Sequence, residues 1–159
     1  MSMRVSTIIA GAVAGAFVFS AAAASEAITT RTFTVIDGNR IAVDGRELRL
    51  DGIVAPELGR QCMLGGKARD CGLIARSGLL DLTAGATVTC RKAGAKTHRC
   101  TAGGYDLSEG MVYTGWAVPL DGAPKAYWRV LKGAQDRPRG FWKGTFVEPW
   151  AEITRVSGN

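Results

Sequence analysis

The chain opens with an apolar run and then turns to alternation. Val5 to Ala24 carries no charged side chain, and Met1 to Arg4 ahead of it supplies one positive charge. From Thr32 the pattern has period two. Phe33 and Val35 alternate with threonines, Ile41 and Val43 follow Asp37-Gly38, and Leu48 and Leu50 alternate with Glu47 and Arg49 after Asp44-Gly45. Alternation punctuated by Asp-Gly predicts a β-meander with tight hairpins over residues 32–50. Arg49 then points to the face opposite Leu48 and Leu50. Pro56, Gly59 and Gly65-Gly66 mark residues 55–66 as a loop. Beyond it, Ala68, Cys71, Ala75, Leu79 and Leu82 recur at three- and four-residue steps, which predicts a helix over 67–83 that stops at Gly85.

Two more strands are expected, at 86–90 and near 98–101, with a short basic loop between them and Gly103-Gly104 turning the chain afterwards. Asp106-Leu107-Ser108-Glu109 has the spacing of a helix start, a capping side chain with an acid three residues on. That helix carries Leu107, Met111 and Val112 and stops at Gly115. Residues 116–118 read as extended. Pro124 opens a third helix through about Gln135, ended by Arg137-Pro138-Arg139-Gly140. The aromatic tail 141–150 is expected to pack on the body. Five short strands with helices interleaved and trailing predict an α+β fold, a small five-stranded Greek-key β-barrel of the OB type with about three packed helices.

The apolar start changes how much of the chain enters that fold. Ala22-Ala23-Ala24-Ser25-Glu26-Ala27 supplies the small residues that a signal peptidase needs, so residues 1–24 are expected to be a cleaved signal peptide, with a cut after Ala27 as the second choice. An uncleaved anchor is the competing reading, because the run nearly reaches the length that spans a bilayer. Cleavage leaves 135 of the 159 residues (159 minus 24), enough for one domain with a real core. The expected organisation is a flexible stretch at 25–31, one domain over 32–150 and a tail at 151–159. It implies a periplasmic or secreted protein with no stable membrane association once the signal is gone.

The formal net charge of +6 falls to +5 when Arg4 leaves with the signal. A basic balance suits a polyanion partner such as nucleic acid, though charge alone does not separate that from an ordinary surface. Cys62, Cys71, Cys90 and Cys100 remain after cleavage, an even count that suggests two disulfides in an exported chain. Cys62–Cys71 and Cys90–Cys100 are the expected pairs, because each closes a short local loop. A zinc site is disfavoured, since no Cys-x-x-Cys pair occurs and His98 is the single histidine.

Several segments carry a resemblance. Val35-Ile36-Asp37-Gly38-Asn39 at a hairpin is followed by Leu48-Arg49-Leu50-Asp51-Gly52-Ile53-Val54-Ala55-Pro56-Glu57. Gly104-Tyr105-Asp106-Leu107, Met111-Val112, Gly115-Trp116-Ala117, Tyr127 and Gly140-Phe141-Trp142-x-Gly144-x-Phe146 come later. In this order, over about residues 32–147, the set resembles the thermonuclease (staphylococcal-nuclease-like) family, in an exported, disulfide-containing form. The family writes the first two segments as an Asp-Gly-Asp-Thr turn and Arg-Leu-x-Gly-Ile-Asp-Ala-Pro-Glu. The resemblance implies phosphodiester hydrolysis in DNA or RNA, usually with calcium, which takes several oxygen ligands. It also implies a glutamate as general base and two arginines on the phosphate.

Residue by residue, the implied pocket is degenerate. Asp37 retains the first acid of the turn, but the second, a direct metal ligand, is Asn39, which offers a carbonyl oxygen and no charge. The other carboxylate ligand is replaced by Val54, and Ala55 retains only a backbone carbonyl. Arg49 survives as the first phosphate arginine and Glu57 as the general base. Counting back from Ala102-Gly103-Gly104 puts Ala95 where the second arginine belongs, with Arg99 four residues later. No cofactor is therefore expected, and calcium would be needed only if the pocket is active.

The leading expectation is an impaired or inactive thermonuclease-like domain that retains at most weak binding to nucleic acid or to an envelope protein. The alternatives are a metal-dependent nuclease using Asp37, Asn39, Glu57 and the Ala55 carbonyl, with Asp51 or Arg99 filling a gap, and an OB module for an envelope oligosaccharide or protein. Trp116, Trp128, Trp142 and Trp150 are candidates for base stacking, although core and tail packing explains them better. Arg129, Lys132, Arg137, Arg139 and Lys143 read as a phosphate footprint or as a solvated helix face.

Overall fold

A computed structural model describes residues 26–143; the expected signal segment, the cut after Ala24 and the tail with Trp150 lie outside the described residues. The alternating stretch forms the meander. Strands β2 (Thr34–Asp37), β3 (Arg40–Val43) and β4 (Arg46–Leu50) pair antiparallel in sequence, and Val35, Ile41, Val43, Leu48 and Leu50 turn inward. Arg49 lies on the exposed face, as alternation requires. Strand β8 (Val88–Lys92) pairs antiparallel with β9 (Thr97–Ala102), and β9 pairs parallel with β4. Val88, Cys90, Cys100 and Ala102 continue the same buried face.

Three helices cover that face. Helix α1 (Cys71–Thr83) contributes Ala75 and Leu79, and α2 (Leu107–Thr114) contributes Leu107, Met111 and Val112. Helix α3 (Lys125–Asp136) is the most amphipathic, burying Tyr127 and Ala134. Asp106 caps α2 by accepting the Glu109 N–H at 3.1 Å, and Gly115 ends it in the left-handed region at φ 81°. Phe141, on a 3₁₀ turn over Gly140–Trp142, is fully buried and meets Trp116 edge-on at 5.0 Å. The architecture is thus α+β, with three helices and a multi-stranded sheet.

The sheet differs from the expected barrel in not closing. Its order is β1-β8-β9-β4-β3-β2, with β10 (Tyr105–Asp106) added on β9. Strand β1 (Ile28–Thr30) pairs with Val88–Cys90 and so takes the one edge of β8 that could have met β2. The same pairing puts a strand inside the 25–31 stretch expected to be flexible.

The stretch expected as a loop, and the start of the predicted first helix, also differ. Strand β5 (Ile53–Val54) pairs with β11 (Val118–Pro119), and β6 (Gln61–Leu64) forms a hairpin with β7 (Lys67–Asp70). Gly65 and Gly66 have φ of 59° and 74°, the pair of positive values that a primed two-residue hairpin turn needs. Residues 67–70 are therefore strand, and Asp70 caps α1 by accepting the Leu73 N–H at 2.9 Å.

Both expected disulfides are present. Cys62–Cys71 ties the hairpin to the first residue of α1, and Cys90–Cys100 joins directly opposed residues of β8 and β9. Bridges over loops of this length stabilise by roughly 2–3 kcal/mol each in the chain-entropy account. Among the described residues no helix is long and apolar enough to cross a membrane.

Candidate functional site

The turn between β2 and β3 is built around close approach. A Cβ on Gly38 would lie 2.7 Å from the Cβ atoms of both Ala55 and Ala75, so only glycine lets this turn sit on the segment after β5 and on α1. That contact buries the turn's polar residues: Asp37 is 1% exposed and Asn39 is 3% exposed. A buried carboxylate must be paired and hydrogen-bonded.

Asp37 is satisfied twice from within the turn. Its Oδ1 accepts the Asn39 N–H at 3.0 Å, and its Oδ2 accepts Nε of Arg40 at 2.7 Å. Arg40 reaches on to Oε2 of Glu47 through Nη1 at 3.2 Å. Its guanidinium is pushed above the ordinary arginine value, first by the hydrogen bond to Asp37. Partial burial opposes this, and the charges of Asp37, Glu47 and Glu57 add to it. The pocket's acids thus surround a cation that the chain itself supplies.

The remaining candidates lie around this ion pair. The Asn39 side-chain amide donates to the Ile53 carbonyl at 3.4 Å, and the Asn39 backbone carbonyl accepts the Leu50 N–H at 2.8 Å. Val54 is buried and pairs with Val118, and Ala55 is buried beside Gly38. Glu57 is exposed, but its backbone is fixed: its carbonyl accepts the Arg60 N–H at 3.0 Å and packs so tightly on Gly72 that no Cβ fits there. Arg49 lies directly opposite Arg40 on β3 and Thr97 on β9 and makes no ion pair with a described residue. Ala95 sits exposed in the β8–β9 turn.

Arg99 lies on β9 rather than in that turn. It is held between Oδ2 of Asp51 and Oδ2 of Asp106, each at 3.8 Å, while Asp51 also accepts Thr97 Oγ1 at 2.6 Å. Asp51 and Arg99 therefore engage each other, and neither fills a gap beside Asp37. Asp106 accepts the Tyr127 hydroxyl at 2.9 Å, and burial first, then this bond, raises the phenol above its usual range.

These residues do not fit calcium. The Asp37 oxygens are occupied by donors, Val54 offers no oxygen from its side chain, and the Asn39 amide points its NH₂ at a backbone carbonyl. Among the described residues no three His, Cys, Asp or Glu side chains converge as a metal-ligating group. The residue that sequence reasoning missed is Arg40. Residue type gave no signal for it, because its role depends on a carboxylate that becomes buried only through the Gly38 contact.

Elsewhere, Trp116 and Trp142 are half-buried against the core, whereas Trp128 is 43% exposed. In the basic cluster Lys132 pairs with Asp136 at 2.8 Å, and Arg139 stacks on the Tyr113 ring at 4.1 Å. Compared with known proteins, the chain matches no family model, and no curated protein matches it.

His98 sits on β9 opposite Leu50 and Lys92, with Nδ1 buried and without a hydrogen-bond partner among the described residues. Its pKa is lowered by desolvation, then by the charges of Lys92 and Arg46. The unfolded chain therefore takes up this proton before the folded one. Stability from this site is complete above the ordinary histidine value and declines as pH falls below it. Melting curves should show the loss of Tm between about pH 7 and pH 5 reduced in His98→Gln; an equal loss in both proteins would contradict this account.

Removing Arg40 leaves Asp37 buried with one partner. Arg40→Ala should cost about 2–4 kcal/mol in urea unfolding, less than for a fully buried pair because the Arg40 side chain is 28% exposed. Arg40→Lys should recover part of that loss, and a neutral outcome for Arg40→Ala would show that the pair is not structural.

Proposed function

We propose that this is an exported thermonuclease-like domain that has lost metal-dependent catalysis and retains weak binding, with nucleic acid as the first candidate ligand. The observation that carries the reading is the guanidinium of Arg40 on Asp37, 2.7 Å from its Oδ2 and within reach of the charge of Glu57. A cation built into the chain takes the place that a metal would need. Val54 removes a second ligand, and Ala95 removes the second phosphate arginine. Losing one preorganised charge donor costs roughly 10²–10³ in rate. Loss of the metal as well brings the expected deficit to about 10⁴ or more.

The fold half of the proposal is an OB-type domain. It is supported by the order β2-β3-β4-β9-β8, with β4 and β9 as its one parallel pair, and by β1 lying across the edge where such a sheet closes. Export is supported by the apolar run Val5–Ala24 and by the two disulfides.

Purified mature protein should leave single- and double-stranded DNA and RNA uncut with calcium, magnesium or manganese present. Cleavage that disappears in Glu57→Gln would overturn the reading in favour of a rearranged active site. Retained oligonucleotide binding should weaken steeply with salt; salt-insensitive binding would point instead to a protein or neutral oligosaccharide partner.

A further inference from the structure

The outer face of β8 and β9 carries an unusual juxtaposition. Arg91 and Arg99 are direct cross-strand partners, and Thr89 and Thr101 form the next pair on the same face. Like charges directly opposite in an antiparallel pair repel, with Cβ atoms only about 4.5–5.5 Å apart. Asp51 and Asp106 flank Arg99 and hold it at 3.8 Å, but Arg91 and its neighbour Lys92 have no carboxylate partner among the described residues. These side chains line an open cleft of about 450 Å³ with Asp51 as its one acid. That volume lies within the range of small-ligand sites, roughly 300–1,000 Å³.

We propose that this cleft binds a phosphoryl dianion, a phosphomonoester or pyrophosphate group, on a lining that includes none of Asp37, Arg49 and Glu57. Arg99 is drawn toward Asp51 and Asp106, each at 3.8 Å, which biases its guanidinium toward the cleft. Arg91 faces it across the strand pair, and two guanidinium forks can grip a tetrahedral anion from two sides. The Thr101 hydroxyl donates to the Thr89 carbonyl at 3.5 Å and the Thr89 hydroxyl is shared with Thr29 at 3.1 Å, so the guanidinium groups carry the contacts to the anion. Arg91, Arg99 and Lys92 outnumber the acids beside them, Asp51 in the lining and Asp106 on Arg99, so the local charge is net positive and favours an anion. A bound phosphate relieves the Arg91–Arg99 repulsion that the empty face carries.

The test is a titration of ¹⁵N-labelled protein with inorganic pyrophosphate and with phenyl phosphate at low ionic strength, read at the Nε–H resonances of Arg91 and Arg99. Both probes should shift these resonances saturably. Arg91→Ala should weaken binding by about tenfold or more, Arg91→Lys should weaken it less, and Arg69→Ala, on the exposed β6–β7 hairpin, should leave it unchanged. A thymidine oligonucleotide with a 5′-phosphate, compared with the same strand lacking it, separates a strand end from a free phosphate as the natural source. No saturable shift at millimolar ligand overturns the proposal, as do unchanged binding in Arg91→Ala, equal weakening in Arg69→Ala, or succinate binding as tightly as phenyl phosphate. None of these outcomes depends on whether the protein cuts nucleic acid, so the nuclease assay and this titration can fail independently.

Discussion

A buried carboxylate has to be neutralised, and in this protein that requirement falls on Asp37. The turn that carries it is pressed against Ala55 and Ala75 through Gly38, so water cannot do the work. Arg40 supplies the counter-charge from the next strand and at the same time reaches Glu47, tying the β2–β3 turn to β4. The ion pair sits where the β2–β3 turn meets α1 through Gly38 and β5 through Asn39. A metal ion would meet the same electrostatic need, which is why the pair bears so directly on function.

The surrounding residues fit that arrangement. Val54 packs in the small β5–β11 ladder and adds apolar burial. Asn39 uses its side chain and its backbone to hold the turn between Ile53 and Leu50. Arg49 and Glu57 stay exposed on rigid backbone. Cys90–Cys100 fixes the strand pair whose outer face presents Arg91 and Arg99. Positive charge that a polyanion would meet is thus presented on the outer face of β8 and β9.

Much of the fold was legible because its signals are local. Period-two alternation with Asp-Gly turns located β2, β3 and β4, and the acid at position 106 located the start of α2. The β6–β7 hairpin was misread because Ala68 and Cys71 fall at helical spacing, while the Gly65-Gly66 turn that overrides them was read only as loop. The open sheet was hidden because β1 is a three-residue strand whose pairing with β8 spans 60 positions. At the site, residue types marked Asn39 and Val54 as departures from the pattern the sequence resembles. They did not disclose Arg40, whose meaning depends on a carboxylate that becomes buried only through the Gly38 contact.

The central claim, that Arg40 occupies the cation's place on Asp37, is tested most directly by thermal unfolding of the wild-type protein across a calcium series. A ligand of the folded state raises stability by RT ln(1 + [L]/Kd), about 2.7 kcal/mol at a hundredfold excess over Kd. The account predicts a melting temperature that does not move up to millimolar calcium. A concentration-dependent rise that Asp37→Asn abolishes would contradict it.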